Sequence, residues 1–176
     1  MRIGLLSDTH GFLDPKVFSY FEEVDEIWHA GDIGPVGLTD KLAKFKPVRA
    51  VYGNIDDAVA RRQFPEDSFF EVAGLRIYMT HIGGFPGRYP ARIKSQLLRY
   101  KPGLFICGHS HILKVMPDTQ HQLLHINPGA AGNHGFHLVK TLVRFSITAG
   151  KIHDLQVIEL GPRGSADLVE VGVEVP

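Results

Sequence analysis

Short apolar runs that stop abruptly at polar residues punctuate the chain, and they predict most of its elements. Arg2 to Ser7 reads as a buried strand, because its apolar run ends at Asp8. Pro15 to Glu23 carries helical spacing in Val17, Phe18 and Phe21, with Asp14 as N-cap and Pro15 at the first helical position. Glu26 to Ala30 is a second strand, Leu38 to Phe45 a helix and Val48 to Tyr52 a third strand. Strand–helix–strand–helix–strand is the pattern of a parallel sheet covered by helices.

Beyond Pro65 the pattern shortens. Ser68 to Val72 and Leu75 to Thr80 flank Ala73-Gly74, a hairpin turn. Ala91 to Tyr100 is a helix with Ile93, Leu97 and Leu98 on one side, and Leu104 to Cys107, Leu113 to Met116 and Gln122 to Ile126 are short strands. Leu138 to Thr148 and Lys151 to Leu160 form a last hairpin around Ala149-Gly150. A parallel α/β half followed by an antiparallel-rich half predicts two packed sheets with helices outside. The expected organisation is one domain over residues 1–160, with 161–176 a C-terminal tail or an edge strand.

Composition narrows the class without naming a chemistry. The length, 176 residues, suits one domain, and 44% hydrophobic with 22% charged residues is ordinary for a globular chain. Lys plus Arg equal Asp plus Glu at 19 each, so nothing global attracts nucleic acid or a membrane surface. The single cysteine, Cys107, excludes an internal disulfide and a cysteine-built metal cage. The opening apolar run is too short for a signal peptide and no stretch is long enough to cross a bilayer, so the expected location is cytoplasmic. Ten histidines are the unusual feature.

Where these polar residues fall is informative. Five strand exits carry them: Asp8-Thr9-His10-Gly11, Gly31-Asp32, Gly53-Asn54, Thr80-His81 before Gly83-Gly84, and Gly108-His109-Ser110-His111. In open α/β sheets, ligands sit outside the carboxyl ends of the strands, so these loops can converge. Asp8 and His10, like His109 and His111, share a face if the chain stays extended. Singly, each motif has a plainer explanation: a loop aspartate satisfying amides, a common turn pair, a hydrogen-bonded core histidine. All five in order do not. Two Asp, one Asn and four His are too many ligands for one four-coordinate ion and suit two ions sharing a carboxylate. In that arrangement one ion lowers the pKa of a water and both offset charge on a phosphoryl group during in-line displacement.

His29 reads as structural, and His121, His125, His137 and His153 as packing or surface residues. His134, in a glycine-rich loop, and Arg88, in Gly87-Arg88-Tyr89, are candidates for substrate contact.

The series SDTHG, HAGD, GN, THIGG, GHSH and INPG resembles the calcineurin-like metallophosphoesterases, and most of all their small single-domain bacterial and archaeal phosphodiesterase branch, from residue 3 to about residue 130. The resemblance implies a four-layer α/β/β/α sandwich of two mixed sheets flanked by helices. It also implies a ligand division: Asp8, His10, Asp32 and His111 for one ion, and Asp32, Asn54, His81 and His109 for the other, with Asp32 bridging. The implied ions are divalent: Mn²⁺ first, with Zn²⁺, Fe²⁺ or Ni²⁺ as alternatives. Many members carry a His after the Gly-Asn pair where this chain has Ile55, which argues against efficient attack on unactivated monoesters. Ala130 stands where the branch usually has Ser.

The expected function is therefore phosphodiester hydrolysis of a small substrate, with Asn54 a substrate contact as well as a ligand. A protein-binding scaffold is the alternative, because the retromer scaffold subunit resembles this chain but has lost ligand residues. A nuclease is a third reading, disfavoured by neutral charge and the lack of a basic stretch. A homo-oligomer is left open.

Overall fold

A computed structural model describes residues 1–164. Ten strands and four helices follow in the order β1 (Arg2–Leu6), α1 (Lys16–Tyr20), β2 (Glu26–His29), α2 (Gly37–Phe45), β3 (Val48–Ala50), α3 (Ala58–Gln63), β4 (Asp67–Val72), β5 (Leu75–Thr80), α4 (Ala91–Tyr100), β6 (Leu104–Ile106), β7 (Lys114–Asp118), β8 (Leu123–Asn127), β9 (Val139–Thr148) and β10 (Lys151–Pro162) among the described residues. The strands form two five-stranded sheets, ordered β10-β9-β1-β2-β3 and β4-β5-β6-β8-β7. Both are mixed. In the first, β1, β2 and β3 run parallel, β9 runs antiparallel to β1 and β10 antiparallel to β9; in the second, a parallel centre of β5, β6 and β8 is flanked by antiparallel β4 and β7.

Alternation along the strands decides the layers, since successive side chains face opposite ways. Ile3, Leu5 and Trp28 face Ile77, Met79, Leu104 and Ile106 between the sheets. Leu6 and Ile27, on the other face of the first sheet, pack against Val17, Phe21 and Leu42. Tyr78 and Phe105 pack outward against Ile93 and Leu97 of α4. The result is the four-layer α/β/β/α sandwich.

Both hairpins turn where expected. Ala73 and Ala149 have φ of 47° and 48° and are followed by Gly74 and Gly150 at 83° and 75°, the positive-φ pair of a two-residue hairpin. The two tips touch, Gly150 N–H donating to Ala73 O at 2.6 Å, so the sheets are clipped together at one end. Helix α1 ends earlier than its apolar spacing predicts, because the chain leaves it through tighter turns that bury both Phe21 and Val24. Pro15 has helical dihedrals and Asp14 Oδ1 accepts from Lys16 N–H, as a cap ahead of Pro15 would. Helix α3 was not expected. Its six residues are nucleated by Asp57, whose carboxylate accepts from Val59 and Ala60 N–H. Strand β10 continues past residue 160 to Pro162, and the rest of the expected tail or edge strand, from residue 165, lies outside the described residues.

His125 is packed without solvent among Tyr89 and Phe105, and neither ring nitrogen has a partner. Burial pushes its pKa down to about 4. A histidine depressed in the folded state leaves the unfolded chain binding more protons as pH falls below 6.5, so acid removes stability down to that folded pKa. The expected loss from this residue is about 2 kcal/mol between pH 7 and pH 4.5. In metal-free protein, His125→Phe should shrink the difference between the unfolding free energies from urea titrations at those two pH values by that amount; an unchanged difference would show that His125 is not the acid-sensitive group.

Candidate metal centre

The carboxyl ends of β1, β2 and β5, together with the loops after β3 and β6, deliver all seven candidate ligands to one end of the sandwich. Two groups form there. Asp8, His10 and His111 have ligand atoms within 4.8 Å of one another, as do Asp32, His81 and His109. Each group draws its carboxylate from the first sheet and at least one imidazole from the second. Asn54, exposed at the exit of β3, lines the cavity above them with Asp32, His10, His109 and His111.

The chain does not stay extended over Asp8-Thr9-His10 and His109-Ser110-His111, so the condition for a simple shared face is not met. Asp8, His10, Asp32, His109 and His111 have φ of 54°, 46°, 53°, 68° and 57°, all left-handed. Such conformations cost on the order of 1 kcal/mol each for a residue with a Cβ, and Asp, Asn and His tolerate them best. Loop-to-loop bonds hold them: Asp8 N–H donates to Gly31 O, His10 N–H to Asp32 O and Gly11 N–H to Ile33 O. His109 N–H donates to the Asp8 carboxylate at 3.2 Å.

Three residues position the loops. Asp56, which sequence reasoning missed, is 3% exposed and accepts from the amides of Ile33 (3.1 Å), Gly34 (2.8 Å) and Gly53 (2.7 Å), locking the β2 and β3 loops together. Its place two residues after Asn54 was the only signal. His29 accepts from Gly31 N–H at Nδ1, so Nε2 carries the proton and donates to Thr9 Oγ1, which donates on to Ile33 O. Burial drives the His29 pKa down to about 3, so this chain of bonds stays neutral. Asn127 Nδ2 donates to Gly108 O and Ser110 Oγ and so shapes the Gly-His-Ser-His loop.

The donor atoms fit cations. His81 donates from Nδ1 to Ala30 O at 2.8 Å, which leaves Nε2 facing Asp32 Oδ1 at 3.2 Å and Asp8 Oδ1 at 3.9 Å. Nε2 is buried and makes no well-aligned hydrogen bond. Burial opposes protonation of His81, but Asp32 and Asp8 outweigh it, so its pKa lies above the ordinary value. Burial alone would raise the Asp32 carboxyl; His81, the Ile55 amide and His10 reverse that and hold it low. His10 goes the other way, lowered by burial against the pull of both carboxylates. Its Nε2 faces His111 Nε2 at 3.4 Å, and His111 Nε2 lies 3.2 Å from Asp8 Oδ1. Lone pairs and carboxylates converging this closely need positive charge between them, and mixed imidazole and carboxylate donors suit divalent first-row ions.

The glycines serve close approach. A Cβ on Gly31 would fall 2.6 Å from His81 Nδ1. Gly135 (φ 118°) lies against His111, where a Cβ would be 2.5 Å from Cε1. Gly135→Ala is therefore expected to displace the His111 ring and strain the loop, weakening Mn²⁺ binding by about tenfold or more. Calorimetric Mn²⁺ titration checks this, and wild-type affinity in the variant would refute the contact.

Of the other residues singled out, His134 is exposed with its ring 4.7 Å from that of His10, and it lines the cavity. Arg88 is exposed on its loop and is not among the residues lining that cavity. His137, expected only to pack, also lines it, 5.3 Å from the His111 ring, and its Nε2 bonds Gly132 O. His121 pairs with Asp118, and His153 with Asp154 on exposed β10.

Residues 1–150 match the model of the calcineurin-like phosphoesterase superfamily domain. The chain belongs to that superfamily. A probable metallophosphoesterase of Methanocaldococcus jannaschii is 34% identical over 137 residues, 74% of this chain and 68% of the relative. A structure described as a novel archaeal phosphodiesterase superposes with TM-score 0.72 at 20% identity, covering 91% of this phosphoesterase domain chain and 100% of the other. Vps29 of Entamoeba histolytica, in complex with Zn²⁺, superposes with TM-score 0.64 at 16% identity over 90% of this chain and 99% of its own. At these identities the two structures share the fold. The phosphoesterase superfamily uses divalent metals, in keeping with the two ligand groups. No helix among the described residues is long and apolar enough to cross a membrane.

Proposed function

We propose that this phosphoesterase is a dinuclear phosphodiesterase. Asp8, His10, Asp32 and His111 would hold one divalent ion, and Asp32, Asn54, His81 and His109 the other. Mn²⁺ is the proposed ion. The observation that carries this reading is the pair of interlocked carboxylate–imidazole groups, with His81 Nε2 buried between two carboxylates and without a well-aligned hydrogen bond, under an open cavity of about 460 Å³. When bound, the ions supply a water of lowered pKa and positive charge at phosphorus.

The chain's own residues then select the ester. No Lys or Arg lines this cavity among the described residues, and Arg61 and Arg92 of the adjoining recess are bonded to the Asp56 and Asn54 carbonyls and to Asp67, so a dianionic monoester meets no uncommitted fixed cation beyond the ions, while a monoanionic diester needs none. Ile55, exposed beside Asn54, can neither donate a proton to a leaving group nor hydrogen-bond it. Both features favour diesters with good leaving groups. Asn54 and the exposed His134 are the polar groups on the cavity wall proposed to contact phosphoryl oxygens.

The test is metal analysis paired with hydrolysis of a 4-nitrophenyl diester and of the monoester, with and without added Mn²⁺. The expected result is about two ions per chain and diester hydrolysis that a chelator abolishes. A non-catalytic protein-binding scaffold is the second reading, which the fold shared with Vps29 fits. Because that Vps29 structure holds Zn²⁺, bound metal alone does not separate the two readings; metal without turnover of any diester would make the scaffold the leading one.

A further inference from the structure

The cavity over the candidate centre has a polar floor and an apolar rim. Ile55, Ile112 and Phe136 line it, and they are 45%, 58% and 101% exposed. They come from three separate loops, after β3, after β6 and after β8, so no single amphipathic element accounts for their meeting. A wholly exposed phenylalanine beside two exposed isoleucines is a patch that demands an occupant, since each such side chain gains on the order of 2 kcal/mol when covered. The loop beneath Phe136 is anchored. Gly135 lies against His111, and His137 bonds Gly132 O on the other side of the tip. The Phe136 ring is thus presented from a fixed base. Arg61 and Arg92 line an adjoining recess of about 230 Å³ that shares Asn54 with the cavity and also takes in His81. Arg61 is bonded there to the carbonyls of Asp56 and Asn54, and Arg92 to Asp67.

We infer that Ile55, Ile112 and Phe136 form a seat for a planar aromatic arm of the phosphodiester, an aryl ring or a nucleobase. This deepens the diesterase reading and rests on it. The flat face of Phe136 can stack on a ring, the aliphatic side chains of Ile55 and Ile112 can cover its edges, and the imidazole of His137 on the same wall extends that surface. The absence of Lys and Arg from the described lining disfavours an arm carrying further phosphates.

The test uses Mn²⁺-loaded protein and 4-nitrophenyl phosphodiesters whose second arm is methyl, hexyl, phenyl or thymidin-5′-yl. Phenyl or thymidinyl is expected to exceed methyl by about tenfold in kcat/KM, the scale of one good aromatic contact, and Phe136→Ala should bring that ratio close to one. Which of the two arms is preferred distinguishes an aryl source from a nucleoside. Hexyl performing as well as phenyl, or a ratio untouched by Phe136→Ala, overturns the seat. So does a change of oligomeric state in Phe136→Ala with the ratio intact, which assigns the rim to contact with a second copy. A parallel binding measurement compares diphenyl with dimethyl phosphate by calorimetry. Tighter diphenyl binding that Phe136→Ala removes, without turnover of any diester, retains the seat and refutes the diesterase; turnover with equal binding does the reverse.

Discussion

Asp32→Asn is expected to lower diester turnover by about a thousandfold or more, equivalent to roughly 4 kcal/mol of lost stabilisation of the transition state. The carboxylate is 2% exposed and faces both ligand groups, with Oδ1 3.2 Å from His81 Nε2 and Oδ2 3.6 Å from His10 Nε2. An amide keeps the size of the side chain but removes its charge, and at one position it presents N–H donors where an acceptor is needed. The backbone should survive, because Asn tolerates the left-handed φ of 53° as readily as Asp. The variant is expected to melt like metal-free wild type and to bind fewer than two ions. Steady-state kinetics with saturating Mn²⁺ reads the effect, and turnover within tenfold of wild type would sink the bridging role.

Removing divalent ions is expected to lower the melting temperature by about 5–10 °C for each ion lost. Free ion at a hundred times its dissociation constant contributes about 2.7 kcal/mol, and in a chain of this size each kcal/mol moves the midpoint by about 2–4 °C. Asp8 is fully buried and Asp32 nearly so, and without ions these two carboxylates rely on imidazoles for compensation. Scanning calorimetry with chelator, then with Mn²⁺ restored, gives the difference directly. A midpoint that ignores both additions would mean that no ion binds the folded state.

The candidate ligands were visible in the sequence because they cluster where five apolar runs end, and an abrupt polar residue after a buried strand is a pattern that sequence carries openly. The hairpins were legible for the same reason, through Ala73-Gly74 and Ala149-Gly150. Helix α3 was not. Its six residues include only three apolar ones, too few for a period, and its start depends on the Asp57 cap. The left-handed turns at Asp8, His10, His109 and His111 were not foreseen, although Asp and His are among the residues that tolerate that conformation. Asp56 escaped notice because its three amide partners come from two loops 20 or so residues apart, a relation that no local pattern encodes. Phe136 and His137 sit in a loop without periodicity, and only the fold brings them to the cavity.

The touching hairpin tips and the candidate centre stand at opposite ends of the sandwich. Strand β5 begins at the clip and ends beside His81, and β1 begins next to the β9 turn and ends at Asp8. Each ligand group spans the seam between the sheets. At the end away from the clip, Asp8 and Asp32 on loops of one sheet face His111 and His81 on loops of the other. An ion seated there would tie the sheets together at the end opposite the clip, so the seam would be fastened at both ends.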